Sequence, residues 1–193
     1  ITSANELSFA MPGSDVTLDK TAEVVMVHAG DGVTVKDTNS SGALLVGKND
    51  SAYVPTSKTL HITVDAGNGT GVIRANSADT QWALTANATA TNNTVALTSV
   101  HGDLYLIPAA VLTITDVKAY DGMDNQATEI TPSGSYVATG VSIFLESNAN
   151  TDTNVIKNGG TQIPGSTAAN GTNKATATLA MPATGATITF AAP

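Results

Sequence analysis

The chain lacks cysteine altogether, has few charged and aromatic residues, and carries twice as many acidic as basic side chains. Without cysteine it forms no disulfide, has no thiol nucleophile and offers no thiolate ligand to a metal. Its 8 Lys and Arg residues against 16 Asp and Glu residues give a formal net charge of −8. Because phosphate backbones and anionic membrane surfaces are bound by basic patches, we expect neither nucleic acid nor an anionic membrane as a partner.

Long apolar runs are also absent. The longest mostly apolar stretch, LYLIPAAVL at residues 104–112, falls well short of the roughly 20 residues that a membrane-spanning helix needs. We therefore expect no membrane insertion. The sequence begins at Ile1 and shows no signal-peptide pattern, which favours a processed mature chain or a trimmed piece.

The residues that are abundant favour strands and turns. Hydrophobic residues make up 41% of the chain and charged residues only 12%, against about 25% charged residues in an average soluble protein. Threonine and valine favour pleated strands, whereas asparagine, glycine and serine favour turns. This composition predicts an all-β protein and is typical of secreted surface proteins.

An internal repeat is visible in the sequence. YVPTSKTLHITVDAGNGTGVI at residues 53–73 is followed 83 residues later by YVATGVSIFLESNANTDTNVI at residues 136–156. Apolar residues alternate in both copies, which is the pattern of a strand with one buried face. The alternating residues are Leu60, Ile62 and Val64 in one copy, and Val141, Ile143 and Leu145 in the other.

A second motif lies near both chain ends and, in a weaker form, between the repeats. Each copy has two alternating apolar stretches around a polar turn, which predicts a hairpin with one apolar face. The repeated positions are Phe9, Met11, Val16 and Leu18; Val95, Leu97, Gly102, Leu104 and Leu106; and Leu179, Met181, Ala186 and Ile188. The first copy precedes any repeat body, so its place in the fold is the main question that the sequence raises.

These repeats predict two tandem β-sandwich domains, at residues 20–107 and 108–193. Residues 1–19 are left as an additional N-terminal hairpin or strand. The junction LYLIPAAVLTIT contains no Gly/Ser linker, so we expect the last strand of the first domain to continue almost directly into the first strand of the second.

The segment LSFAMPGSDVTL resembles the closing segment of bacterial cell-surface repeat domains, which often reads F-T-M-P-x-x-D-V-T. The matching residues are Phe9, Met11, Pro12, Asp15, Val16 and Thr17. The last copy keeps Met181 and Pro182 but has Gly185 in place of the aspartate, and the middle copy lacks Met-Pro. The resemblance is to immunoglobulin-like or listerial-Bacteroides-type repeats of adhesins, S-layer proteins and cell-wall enzymes. It implies a spacer, assembly or adhesive role and no catalytic residues.

Motifs for metal binding are weak. The segment YDGMDNQATE offers Asp121 and Asp124 as calcium ligands, but it lacks the spacing of an EF-hand loop. Aspartate, asparagine and glycine make turns without any ion, which is the simpler interpretation. The chain's three histidines are isolated in sequence. Calcium is thus the one cofactor for which the sequence offers ligands.

The sequence also offers few residues for ligand binding or catalysis. Trp82, Tyr105 and Tyr120 are candidates for an aromatic platform that binds a polysaccharide, although aromatic residues are as often part of a core. The sequence has no G-x-S-x-G motif, no phosphate-binding loop and no evident pair of facing carboxylates. We therefore expect no enzymatic activity.

The first hypothesis for function is an extracellular, self-assembling subunit of a filament, sheath or surface layer. In it, the N-terminal segment adds a strand to a neighbouring copy and builds a homo-oligomer or polymer. The residues of that assembly strand are Leu7, Phe9, Met11, Val16 and Leu18. Two alternatives remain: the segment pairs within its own chain, or the chain is a carbohydrate- or host-binding repeat of a larger adhesin or cell-wall enzyme.

Overall fold

Alternating valine, isoleucine, leucine and threonine residues form strands throughout the chain. The computed structural model describes residues 23–79, 88–98, 100, 102–122, 128–131 and 133–193, and the backbone of residues 82–83. The first nine strands are β1 (Val24–Ala29), β2 (Val33–Asp37), β3 (Leu44–Val46), β4 (Ser51–Pro55), β5 (Thr59–Val64), β6 (Gly71–Ala75), β7 (Trp82–Ala83), β8 (Ala88–Ala90) and β9 (Asn93–Ala96). They are followed by β10 (Leu104–Thr115), β11 (Val117–Asp121), β12 (Thr128–Glu129), β13 (Ser135–Ala138), β14 (Ser142–Ser147), β15 (Val155–Asn158), β16 (Thr161–Gln162), β17 (Thr176–Ala180) and β18 (Ala186–Ala191).

The sequence repeat is also a repeat of topology. A four-stranded sheet in the order β3-β2-β5-β9 has its counterpart in a second sheet in the order β12-β11-β14-β17. The other ten strands form one large sheet, which packs against both four-stranded sheets. Each four-stranded sheet, together with the part of the large sheet that packs on it, is called one half of the molecule. The described residues are therefore all-β with sheets packed as sandwiches, as the sequence predicts.

Each half of the molecule buries its own apolar cluster. In the first half, alternating residues of β1, β2 and β5 pack between the two sheets, with Val27, Val35 and Ile62 fully buried. In the second half, Ile143 and Leu145 of β14 are fully buried in the corresponding cluster. Alternation thus places one face of each strand in a core, since successive side chains of a strand point to opposite faces.

Strand β10 belongs to both halves. Its N-terminal part pairs in parallel with β1 and antiparallel with β6, whereas its C-terminal part pairs antiparallel with β13 and in parallel with β18. Leu106 of this strand lies in the first apolar cluster and Leu112 in the second. The junction is therefore one uninterrupted strand of 12 residues without a linker, as expected from the sequence.

Pro108 marks the point where one edge of β10 changes partner. The carbonyl of Leu106 accepts from the N–H of Gly30 after β1, and the carbonyl of Pro108 accepts from the N–H of Thr139 after β13. Proline has no N–H to donate to a ladder. On the other edge Pro108 lies opposite Val72 of β6, whereas on this edge it stands between β1 and β13. A proline at the centre of a 12-residue strand is tolerated for this reason.

The predicted closing hairpins are wrong for both described copies. In the last copy, β17 pairs with β14 in the four-stranded sheet, whereas β18 pairs with β10 and β15 in the large sheet. In the middle copy, β9 and β10 are likewise in different sheets. Two strands facing one core from opposite sheets have the same apolar alternation as a hairpin, so the pattern alone does not distinguish the two arrangements.

Candidate functional site

The residues predicted to form the assembly strand, Leu7 to Leu18, lie outside the described part of the chain. Their C-terminal counterparts are described. Met181 is 2% exposed and Ile188 is fully buried, and both belong to the second apolar cluster. Each half already has its two closing strands, β9 with β10 and β17 with β18. An additional copy of the motif would therefore extend a sheet rather than fill a missing position in one.

A polar cluster lies on the outer face of β4, β1 and β10, where the strand register places His28 opposite both Ser51 and Tyr105. The His28 and Tyr105 rings are stacked, with centroids 4.2 Å apart and planes 6° from parallel. His28 Nδ1 is hydrogen-bonded to Ser51 Oγ at 2.8 Å, and its Nε2 lies 3.5 Å from Asp103 Oδ2. The cluster is assembled from three strands, so sequence spacing gave no sign of it.

This cluster has the residue types of a catalytic triad without the accompanying geometry. The contact of 3.5 Å between His28 and Asp103 is too long to hold the imidazole firmly. Asp103 is about half exposed, and the backbone N–H of Ser51 already donates to Asp50 Oδ1. A serine nucleophile needs free donors placed for the oxyanion. The described residues form a stacked and hydrogen-bonded polar patch on the surface of the sheet.

The three predicted platform residues are dispersed over the fold. Tyr105 is in the large sheet, and His28 covers one face of its ring. Tyr120 of β11 is 8% exposed and lies against Phe144, with ring centroids 6.2 Å apart. The backbone of Trp82 pairs with Val137, and its side chain is outside the described part of the chain. Tyr105 is therefore the one of the three whose described ring adjoins exposed polar groups.

The predicted calcium ligands are not described as a pair. Asp121 ends β11, and burial raises the pKa of its carboxyl group. Asp124 lies outside the described residues. Among the residues that are described, no group of three or more His, Asp or Glu side chains is placed to share a metal ion. Calcium binding at Asp121 and Asp124 stays a prediction.

The ion pair between Lys58 and Asp37 connects the start of β5 to the end of β2. Lys58 Nζ lies 2.5 Å from Asp37 Oδ2, and Thr38 Oγ1 donates to the other carboxylate oxygen at 2.9 Å. These two hydrogen bonds, the one from Lys58 first, lower the pKa of Asp37 below its ordinary 3.8. The pair is partly buried, with 39% and 23% of the lysine and aspartate side chains exposed.

We expect the stabilisation from this pair to disappear in acid. A carboxyl group with a lowered pKa in the folded state adds stability above its unfolded pKa, and that stability is lost as the pH falls through the folded value. Replacing Lys58 with methionine should lower the Tm near neutral pH by no more than a few degrees. The difference should shrink as the pH falls below 3.8 and vanish once the pH is below the lowered pKa of Asp37. Thermal unfolding followed by circular dichroism over pH measures this.

The matched control is Lys48→Met, which removes a more exposed pair with Asp65, both side chains being about half exposed. Its effect on the Tm should be smaller. An effect of Lys58→Met that persists unchanged in strong acid would mean that its packing, and not its charge, stabilises this part of the sheet.

A shallow cleft lies between the two halves of the molecule. Its volume is about 480 Å³, and one wall comes from the turn between β17 and β18. The opposite wall comes from the end of β5, from the turn that leads into β6, and from the turn before β9. Its lining residues are Thr63, Val64, Ala66, Gly69, Thr70, Thr91, Asn92, Ala183 and Thr184. The cleft therefore offers hydroxyl, amide and backbone groups and no ionisable side chain, which suits a neutral polar ligand.

Comparison of the chain with protein-family models, curated proteins and solved structures finds no match. Among the described residues, no helix is long and apolar enough to cross a membrane.

Proposed function

We propose that the chain is an extracellular structural protein, a self-assembling subunit of a filament, sheath or surface layer. The observation that carries this proposal is the sharing of β10 between both halves. A strand common to two sandwiches transmits force through backbone hydrogen bonds and leaves no flexible linker between them. Such a module is suited to setting a fixed spacing, which structural subunits require.

The N-terminal segment supplies the contact between subunits in this proposal. Residues 7–18 repeat the apolar spacing of β17 and β18, which pack against the second apolar cluster. A strand that leaves one copy and joins a sheet of the next makes a heterologous contact, which generates an open polymer when the rotation does not close. Main-chain hydrogen bonds then provide affinity, and the alternating side chains provide register.

Electron microscopy of the full chain beside a variant lacking residues 1–19 tests the proposal. We expect filaments or sheets from the full chain and single particles from the truncated one. Circular dichroism of both proteins controls for folding. Single particles from both proteins over the whole accessible concentration range would overturn the proposal.

A second candidate is a binding module for a polysaccharide or another host surface, and the uncharged cleft between the halves favours it. Sugars are recognised by hydroxyl and amide groups beside aromatic faces, and Thr70, Asn92 and Thr184 offer the polar part. A glycan array followed by calorimetry should show binding that Asn92→Ala or Thr184→Val weakens, whereas Trp82→Ala tests the aromatic platform. No binding to any glycan would remove this candidate.

A further inference from the structure

The terminal strands of the three sheets differ in how well their outer edges are protected. The terminal strands are β3, β4, β7, β8, β9, β12, β16 and β17. All except β4, β9 and β17 have three residues or fewer, which limits them as templates for a further strand. Three terminal strands, β4, β9 and β17, are therefore long enough to pair with a further strand.

The outer edge of β4 is closed to strand addition. Val54 and Ala52 lie opposite Val25 and Val27 of β1, and Thr56 donates to the carbonyl of Glu23, so even-numbered residues face β1. The outward-facing residues are the odd-numbered ones. Ser51 donates its N–H to Asp50 Oδ1, and Pro55 has no N–H. One outward N–H, that of Tyr53, is left to pair with another strand.

The outer edge of β17 is open along most of its length. The carbonyl of Ala175 accepts from the N–H of Ser147, and the N–H of Met181 donates to the carbonyl of Val141, so odd-numbered residues face β14. The backbone of Thr176 is paired outward with Thr167. The N–H and C=O groups of Thr178 and Ala180 point outward, and no described residue pairs with them.

In the first half, the equivalent strand β9 has a partly protected outer edge. Strand β9 pairs with β5 as β17 pairs with β14, which makes Thr94 the counterpart of Thr178 and Ala96 that of Ala180. The outward N–H of Thr94 donates to Asn93 Oδ1 at 2.8 Å. Ala177, which precedes Thr178, has only a methyl side chain and cannot accept a hydrogen bond from the Thr178 N–H. The two repeats thus differ at the edge itself.

We propose that the open edge of β17 accepts residues 7–12 of a second copy of this chain as an additional strand. This inference rests on the proposed function and assigns the contact that builds the polymer. The acceptor offers the two outward-facing residues Thr178 and Ala180, both with exposed side chains and no charge. Lys174, two residues before β17, forms an ion pair of 2.9 Å with Glu146 of β14.

The chemistry of residues 7–12 matches this acceptor. Leu7, Phe9 and Met11 alternate with Ser8 and Ala10, so a strand formed by them has one apolar and one small, weakly polar face. Paired with β17, its apolar face would continue the row of Ala177 and Leu179, which pack against the second apolar cluster. Pro12 would end the added strand without leaving an unpaired N–H in it.

Lysine substitutions at matched alanines test the acceptor edge, since charged side chains on an edge strand oppose pairing. We expect Ala180→Lys to reduce sedimentable polymer at least tenfold relative to the wild type, whereas Ala96→Lys should assemble normally. Both alanines are exposed, and circular dichroism should show both variants folded. Polymer formation that is equal in the two variants overturns the assignment of β17 and leaves the proposed function standing.

Disulfide cross-linking tests the identity of the donor, because the native chain has no cysteine to interfere. A chain carrying Ser8→Cys and Thr178→Cys should give a ladder of cross-linked oligomers on a non-reducing gel, whereas Ser8→Cys with Thr94→Cys should not. A cross-linked monomer alone would show that the segment pairs within its own chain, and it would overturn the assignment to a second copy.

A labelled peptide of residues 1–19 separates failure of this inference from failure of the proposed function. Added to the truncated chain, it should bind by fluorescence anisotropy, with at least tenfold weaker binding to the Ala180→Lys variant. Binding with this dependence supports the β17 site even if the full chain forms no polymer. Absence of binding, or equal binding to the Ala96→Lys and Ala180→Lys variants, overturns the site.

Discussion

Truncating Leu106 or Leu112 to alanine is expected to lower the free energy of unfolding of the whole chain, by about 2–5 kcal/mol in each case. Both side chains are almost completely buried, Leu106 in the first apolar cluster and Leu112 in the second. Removal of three carbons from a close-packed core loses transfer free energy and leaves a cavity. The two leucines lie in different cores but on the same strand, β10.

Because β10 belongs to both halves, we also expect the two halves to unfold cooperatively. Unfolding of either half removes the hydrogen-bond partners of one part of β10, and the other half is built on the same strand. We therefore expect one transition, with calorimetric and van't Hoff enthalpies in agreement, and a shift of that single transition by either substitution. Leu44→Ala is the control, because Leu44 is 61% exposed and its loss should change stability by about 0.5 kcal/mol or less.

Two separate transitions, of which Leu106→Ala moves only one, would contradict this expectation. In that case each half would hold its own portion of β10 independently, and the strand would act as a covalent tether. The rigidity on which the proposed function rests would then be absent as well.

The repeated strands could be predicted from the sequence because their signal is local. Alternation of Leu60, Ile62 and Val64 marks the buried face of β5, and the same spacing at Ile143 and Leu145 marks β14. The continuity of β10 was also predictable, since LYLIPAAVLTIT contains no residue that favours a flexible linker. These properties depend on residues that are adjacent in the chain.

The arrangement of the closing strands could not be predicted in the same way. Leu179 and Ile188 have the alternation that a hairpin would have, yet they face one core from two sheets. Which sheet a strand joins depends on partners far away in sequence, such as β14 for β17 and β10 for β18. One-dimensional spacing carries no information about these partners.

The candidate sites show the same limit. The stack of His28 on Tyr105 joins residues from β1 and β10, and the open edge of β17 is defined by hydrogen-bond alternation. The cap that Asn93 provides to Thr94 could be suspected from sequence, because asparagine commonly bonds to nearby backbone groups. That this cap protects a sheet edge follows only once the order of the strands is known.

Replacing Gly30 with alanine is expected to destabilise the fold by about 1–3 kcal/mol through overpacking between the end of β1 and the middle of β10. A Cβ atom at this position would lie 2.7 Å from Pro108 Cδ and 2.9 Å from the carbonyl oxygen of Leu106. Neither atom belongs to the flexible end of a side chain, so relief requires that β1 and β10 move apart. The hydrogen bond from the Gly30 N–H to Leu106, 3.0 Å long, would lengthen with that movement.

Chemical denaturation of Gly30→Ala beside Gly67→Ala measures this effect against a matched control, because a Cβ at Gly67 meets nothing within 4 Å. The control should change stability by about 0.5 kcal/mol or less. Adding Pro108→Ala to Gly30→Ala removes the nearer of the two contacts, so the double variant should recover part of the loss, and a double-mutant cycle should show favourable coupling. Equal stability of the Gly30 and Gly67 variants would mean that β1 and β10 separate at no cost. The close approach of Gly30 to Pro108 and Leu106 would then contribute nothing measurable to stability.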